Sequence, residues 1–265
     1  MRPFFEPLGG GRFLATPSTA GPWSPEHQHG GPPAALLGRA LERCEPRDAM
    51  ALARCTFEIL GPVPVGEVEV SARVARPGRS VQLLEAELRA GGRVAMTVRA
   101  WRLRVAGEAP GAGAGAGAGG GGDPEAPPPR PSGATAAPSG LDGFGYGQAV
   151  ELRFASGGWH DPGPATVWTR LRVPVVPGEE PSGLQRVLAV ADSGNGVSAV
   201  LPLDGWLFIN PELTVHLRRE ARGEWICLDA TTVISAGGTG LARSTLSDEE
   251  GVVAHGAQSL LVTRR

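Results

Sequence analysis

The sequence predicts an α+β fold made of two similarly built halves, and three observations carry that prediction. A Gly/Ala/Pro-rich segment at residues 105–140 divides the chain. On each side of it, one helix signal accompanies a series of extended segments. Those segments alternate apolar with polar residues and meet at turn residues, the pattern of antiparallel strands with one wet face. A helix covering one face of a sheet in each half satisfies all three. This much leaves open whether the two sheets join.

In the first half, residues 1–104, a helix begins at Pro32-Pro33 and continues through Ala34, Leu37 and Leu41, which make its buried stripe. Proline is tolerated there because the first backbone donors of a helix have no intrahelical partner. Gly38 interrupts the stripe and would permit close packing against a sheet. Val68, Val70, Ala72 and Val74 alternate with Glu67, Glu69, Ser71 and Arg73, which reads as a strand. Residues 79–88 and 93–103 read as two more, joined at Gly91-Gly92 as a hairpin.

Residues 105–140 contain 11 glycines and seven prolines, with a Gly-Ala alternation from Gly111 to Ala118 and three prolines at Pro127-Pro128-Pro129. Few large apolar side chains are present to offset ordering entropy. The segment is expected to be a linker, flexible where glycine dominates and stiffer at the prolines.

The second half, residues 141–265, repeats the logic. Val167, Thr169, Leu171 and Val173 alternate with Trp168, Arg170 and Arg172 as a strand. Ser182-Gly183-Leu184-Gln185 fits a capping box opening a helix to about Ala191, with Leu184, Val187 and Leu188 as its apolar side. Residues 213–217, 225–234, 241–246 and 252–262 read as four strands, with turns at Gly237-Gly238 and between Asp248 and Gly251. The two halves form a repeat of organisation without a repeat of sequence.

Composition excludes several functions. The 25 basic and 27 acidic residues give a net charge of −2 with no concentrated basic tract, which argues against nucleic-acid capture as the main activity. Cys44, Cys55 and Cys227 show neither metal-ligand spacing nor a disulfide framework. His27 and His29 lie on one side of an extended segment, but no further ligand motif adjoins them to complete a metal site. The opening residues have no basic-then-apolar leader pattern and no apolar run is long enough for a bilayer, so a cytoplasmic protein without membrane insertion is expected. A nucleophile elbow and a nucleotide-type phosphate loop are both missing from the sequence.

Three separated stretches carry a resemblance. Residues 21–37, centred on His29-Gly30-Gly31 before the first helix, residues 206–217 around Asn210-Pro211-Glu212, and the closing strand through Gln258 together resemble the double-hotdog acyl-CoA thioesterases. The resemblance covers the chain apart from the linker. It implies a tandem double hotdog, in which each half wraps a sheet around a helix and the sheets join across a pseudo-two-fold interface. It also implies an acyl-CoA substrate hydrolysed by water without a metal or organic cofactor, and a homo-oligomer of whole two-domain chains. A non-catalytic acyl-CoA-binding or assembly module and an acyl-CoA hydratase are the alternative activities.

Thioester hydrolysis needs an activated water and donors facing the developing oxyanion. The amide of Gly31 is the oxyanion candidate, with tight turning and close packing as the other use of its glycine. His29 is a candidate for orienting water or holding the loop. The water-positioning Asp, hydroxyl and Gln of the family fall at Asn210, at Thr232 (with Thr231 as neighbour) and at Gln258. Asn210 departs from the family pattern because an amide cannot act as a general base. Asp192, at helical spacing from Leu184 and Leu188, is the nearby carboxylate able to approach the buried side, with surface exposure before Gly194-Asn195-Gly196 as the other reading. Trp159, Trp168, Trp206 and Trp225 are candidates for the acyl pocket or for ordinary core packing.

Overall fold

The computed structural model describes residues 1–105, 126–132, 143–158, 161–202 and 205–265. Most of the expected linker, 105–140, and Trp159 therefore lie outside the described residues. The N-terminal half runs β1 (Phe5–Gly9), β2 (Arg12–Ala15), α1 (Gly31–Arg43), β3 (Met50–Ile59), β4 (Glu67–Arg76), β5 (Val81–Ala90) and β6 (Arg93–Arg104). The C-terminal half runs α2 (Gly145–Ala149), β7 (Val150–Gly158), β8 (Asp161–Leu171), α3 (Gly183–Ala191), α4 (Gly194–Val197), β9 (Trp206–Ile209), β10 (Glu212–Leu217), β11 (Trp225–Ile234), β12 (Thr239–Asp248) and β13 (Gly251–Arg264).

Among the described residues the strands form one 13-stranded sheet in the order β1-β2-β4-β5-β6-β3-β10-β13-β12-β11-β8-β7, with β9 paired to β13 off this path. From edge to centre, the first half reads first, second, fourth, fifth, sixth and third strand. Leaving β9 aside, the second half reads in the same order, and each long helix follows the second strand of its half. The fold is thus a tandem double hotdog with a pseudo-two-fold at its centre. The halves join where β3 and β10 pair antiparallel, from Glu58↔Glu212 to Arg54↔His216. One continuous apolar core spans them, containing Leu36, Leu37 and Leu41 of α1, Val187 and Leu188 of α3, and the inward residues of both sheet halves.

Helix α1 starts one residue before the proline pair, at Gly31, and is buried on all sides from Gly31 to Gly38 rather than along one stripe. The reason is α3, which packs antiparallel against it: the start of α1 meets Ala189 near the end of α3, and Glu42 near the end of α1 meets Ser182. Gly38 serves this helix contact and not a sheet contact, since a Cβ there would lie 2.5 Å from Leu188 Cδ1. In α3, Ser182 Oγ accepts from the Gln185 amide at 3.1 Å, as a cap should. The Gln185 side chain does not complete the box but donates to Glu42 Oε2 at 2.8 Å. The β5–β6 hairpin turns at Gly91 and Gly92, whose positive φ values of 55° and 77° favour glycine.

The alternation in β8 misleads. Residues 165–169 are buried on both faces of the sheet, and Val173 lies beyond the strand. Among the described residues, no helix is long and apolar enough to cross a membrane.

Candidate active site

At the end of the helix pair where α1 begins and α3 ends, a cavity of about 430 Å³ opens between the halves. Its walls are mainly apolar, including Ile59, Met96, Val150, Leu152, Val197 and Phe208. Trp23 also lines it and meets Phe208 edge-on, with ring centroids 5.8 Å apart. The polar groups on the wall are concentrated around one carboxylate, Asp192.

Asp192 occupies the C-cap position of α3 and is 6% exposed, so the surface reading of this residue fails. Its Oδ1 accepts from Asn210 Nδ2 at 2.9 Å and from Gln258 Nε2 at 3.3 Å. Its Oδ2 lies 3.3 Å from His29 Nδ1. The carboxylate also sits over Gly30, where a Cβ would come within 2.7 Å of Oδ2. A side chain at this position would displace the acid from the helix start.

Gln258 is 2% exposed on the inner face of β13, not on a wet face. Its Oε1 accepts from the Asn195 amide at 3.2 Å, while its Nε2 also donates to the Asp192 carbonyl at 3.3 Å. One side-chain amide thereby fixes both the carboxylate and the turn that follows α3. Asn195 adds a bond from Nδ2 to Phe208 O at 3.2 Å and lines the cavity.

His29 is stacked face to face on Tyr146 with ring centroids 3.9 Å apart. The Tyr146 hydroxyl donates to Ala189 O at 2.9 Å and lies 3.1 Å from Ser193 Oγ, which ties the ring to the end of α3. Burial lowers the pKa of His29, against an opposing pull from the Asp192 charge, so burial favours the neutral imidazole. Burial likewise raises the Tyr146 phenol, keeping it protonated.

Gly31 is buried, and its amide donates to His29 Nδ1 at 3.0 Å. Its missing Cβ matters for packing, because one built there would lie 2.2 Å from Ala189 O. Pro32 and Pro33 carry no N–H, and α1 has no side-chain N-cap, so Gly30 and Gly31 supply the only amides of this helix start. Gly30 lines the cavity, and its amide has no acceptor among the described residues.

Thr232 is buried beside this cluster but is not part of it. Its hydroxyl lies 2.8 Å from Ser198 Oγ, which itself donates to Gly194 O, so Thr232 anchors α4. Thr231 is half-buried on the opposite face of β11. Of the sequence candidates, the fold gathers Asn210, Gln258 and His29 around the Asp192 carboxylate and places Gly31 directly behind His29. It also recruits Tyr146, Ser193 and Asn195, which sequence reasoning missed. The polar run Asp192-Ser193-Gly194-Asn195-Gly196 is an available signal for two of them, whereas Tyr146, the chain's single tyrosine, sits in no periodic pattern. Trp168 and Trp225 point away from the cavity and Trp206 does not line it.

The sequence matches the family model of the acyl-CoA thioesterase N-terminal domain over residues 19–103 and that of the C-terminal domain over residues 124–262. No curated protein sequence matches the chain. Among solved structures, a Novosphingobium aromaticivorans protein provisionally described as a thioesterase is 20% identical, with a TM-score of 0.71 over 98% of this chain and 99% of that one. A hot dog fold protein of unknown function from Alicyclobacillus acidocaldarius is 17% identical, with a TM-score of 0.72 over 97% and 95%. An acyl-CoA thioesterase II from Mycobacterium marinum is 15% identical, with a TM-score of 0.64 over 98% and 95%. At these identities the likeness establishes the fold.

Proposed function

Because the chain belongs to the acyl-CoA thioesterase family, whose two domain models it matches in order, we propose that it hydrolyses an acyl-CoA thioester to a carboxylic acid and free coenzyme A. The observation that carries this reading is the position of Asp192. At Asn210, where the resemblance implies an acid, an amide stands, and the Asp192 carboxylate lies 2.9 Å from it. Asp192, at the end of α3, is the carboxylate placed to act as general base.

In this mechanism the acyl group lies in the apolar cavity with its carbonyl near Gly30. Asp192 takes a proton from water, and the water oxygen attacks the carbonyl carbon. Asn210 and Gln258 hold Oδ1, leaving Oδ2 for the water. The Gly30 amide donates to the developing oxyanion. Gly31 joins it when His29 Nδ1 carries a proton, since a protonated Nδ1 no longer accepts from the Gly31 amide. The tetrahedral intermediate collapses with loss of the sulfur, which leaves as thiolate and takes up the proton. Thr232 acts only through the position of α4.

The His29–Asp192 pair also favours a second reading, acyl-CoA hydration, which needs an acid and a base at one site. Against it, Nδ1 is already engaged by Gly31. The test is free-thiol release from acyl-CoAs of short, medium and long chain. Hydrolysis predicts release by the natural protein and loss of release in Asp192→Asn. Consumption of crotonyl-CoA without thiol favours hydration, and saturable binding without turnover of any chain length favours a non-catalytic module.

A further inference from the structure

The outer face of the C-terminal half carries an aromatic cluster unrelated to the cavity. Along β11, Ile226, Leu228 and Ala230 enter the main core, so Trp225 and Cys227 face the other way. Cys227 pairs with Trp168 of β8 in register, and the three form a small cluster of their own. On the corresponding face of the N-terminal half, β4, β5 and β6 carry solvated charges, with Glu85 paired to both Arg73 and Arg99. A sheet face exposed to water carries charges of this kind. Yet Trp168 is 2% exposed and Trp225 8%.

What covers them is the chain's own proline segment, residues 126–132. Trp168 Nε1 donates to Pro128 O at 3.0 Å, and Arg153 Nη1 donates to Pro131 O at 3.1 Å. The Arg130 guanidinium lies 4.7 Å from the Trp225 ring centre and pairs with Glu249. Arg153 and Arg170 approach the same ring at 4.6 and 5.0 Å, both held by Glu151. Consecutive prolines favour an extended polyproline helix and lack N–H groups, so their carbonyls are free to accept. Aromatic faces beside an indole donor are the means by which proline-rich peptides are read.

We propose that this face is a recognition site for a proline-rich segment with an arginine, filled in cis by residues 126–132. Covalent attachment keeps it filled, because an attached ligand acts at an effective concentration of about millimolar. The site is independent of the thioesterase reading.

The test opens the site. Residues 126–132 are replaced by Gly and Ser of equal length, and the opened chain is titrated with a synthetic peptide of residues 126–132, following tryptophan emission. Saturable binding to the opened chain and none to the intact chain is the expected result. Peptide carrying Arg130→Ala should bind about fivefold more weakly, and so should natural peptide added to an opened chain carrying Trp168→Phe. In parallel, thiol labelling of the buried Cys227 should be faster in the opened chain. Absence of peptide binding by a folded opened chain, or equal binding by the intact one, overturns the proposal. If the opened chain fails to fold, unchanged Cys227 labelling in intact-length Trp168→Phe overturns it instead.

Discussion

The two ends of the α1–α3 pair are built to the same plan and finished differently. At each end one helix starts on a glycine that has no room for a Cβ: Gly31 against Ala189 O and Gly183 against Ala221 O, each at 2.2 Å. At each end a carboxylate near the close of the opposite helix accepts from two side-chain donors. Asn210 and Gln258 serve Asp192, while Ser182 and Gln185 serve Glu42. The difference lies in the helix start. The α3 start is capped by the Ser182 hydroxyl, which then also donates to Glu42 at 2.6 Å. At the α1 start the N-cap residue, Gly30, has no side chain, His29 accepts only from the Gly31 amide, and the Gly30 amide and neighbouring acid lie on an apolar cavity. The second end also has a cavity, of about 400 Å³, but Arg47, Arg102 and Arg219 are on its wall. In a duplicated fold, a hydroxyl cap closes one helix start, whereas at the other His29 takes the Gly31 amide and the Gly30 amide stays available to a ligand.

The largest expected effect separates the two carboxylates. Asp192→Asn keeps the shape and removes the base, so kcat should fall by about 10²- to 10⁴-fold. Glu42→Gln should leave kcat unchanged. Steady-state thiol release measures both, and an equal loss in the two variants would show that the ends are not functionally distinct. Gln258→Ala should reduce kcat by a smaller factor, because it removes one of the two donors to Oδ1 and loosens Asn195 without removing the carboxylate. An unchanged rate would remove Gln258 from the site.

Next come the helix starts. Gly31→Ala places a methyl against a backbone carbonyl that cannot rotate away, and overpacking of this kind costs about 1–3 kcal/mol. Ser182→Ala loses a cap, costing about 0.5–2 kcal/mol, and should leave turnover intact. Urea unfolding of the two variants beside an activity assay checks the contrast. Loss of activity in Ser182→Ala at full stability would tie the capped end to catalysis.

Much of this architecture was legible because local chemistry dictates it. The proline pair at the start of α1, the Gly91-Gly92 hairpin and the Ser182 cap each depend on nearby residues. Strands β1, β2, β3, β7 and β9 were not legible, being short or irregular in their alternation, as in Glu6-Pro7-Leu8 of β1. Gln258 and Asn210 could be placed from the resemblance. The spacing of Asp192 from Leu184 and Leu188 offered it as a buried-side carboxylate, but its place between those two side chains depends on sheet closure, which brings α3, β10 and β13 together. The alternation in β8 implied a wet face at Trp168, where a segment 40 residues away in sequence covers it.

The smallest expected effect concerns His29, and it probes the open end by pH. Burial lowers the pKa of His29 from an ordinary 6.5, so the unfolded chain binds this proton more readily than the folded one. Stability from the neutral imidazole is therefore fully present above pH 6.5 and is lost as pH falls from there toward the lower folded value. The slope from one such group is at most about 1.4 kcal/mol per pH unit. His29→Gln keeps a polar side chain before Gly30 without a titrating ring. It should unfold with a flatter dependence on pH below 6.5 than the natural chain. Matched urea titrations at several pH values measure the difference. Identical slopes for His29→Gln and the natural chain would mean that the Asp192 charge offsets the burial of His29, leaving its proton affinity the same in the folded and unfolded states.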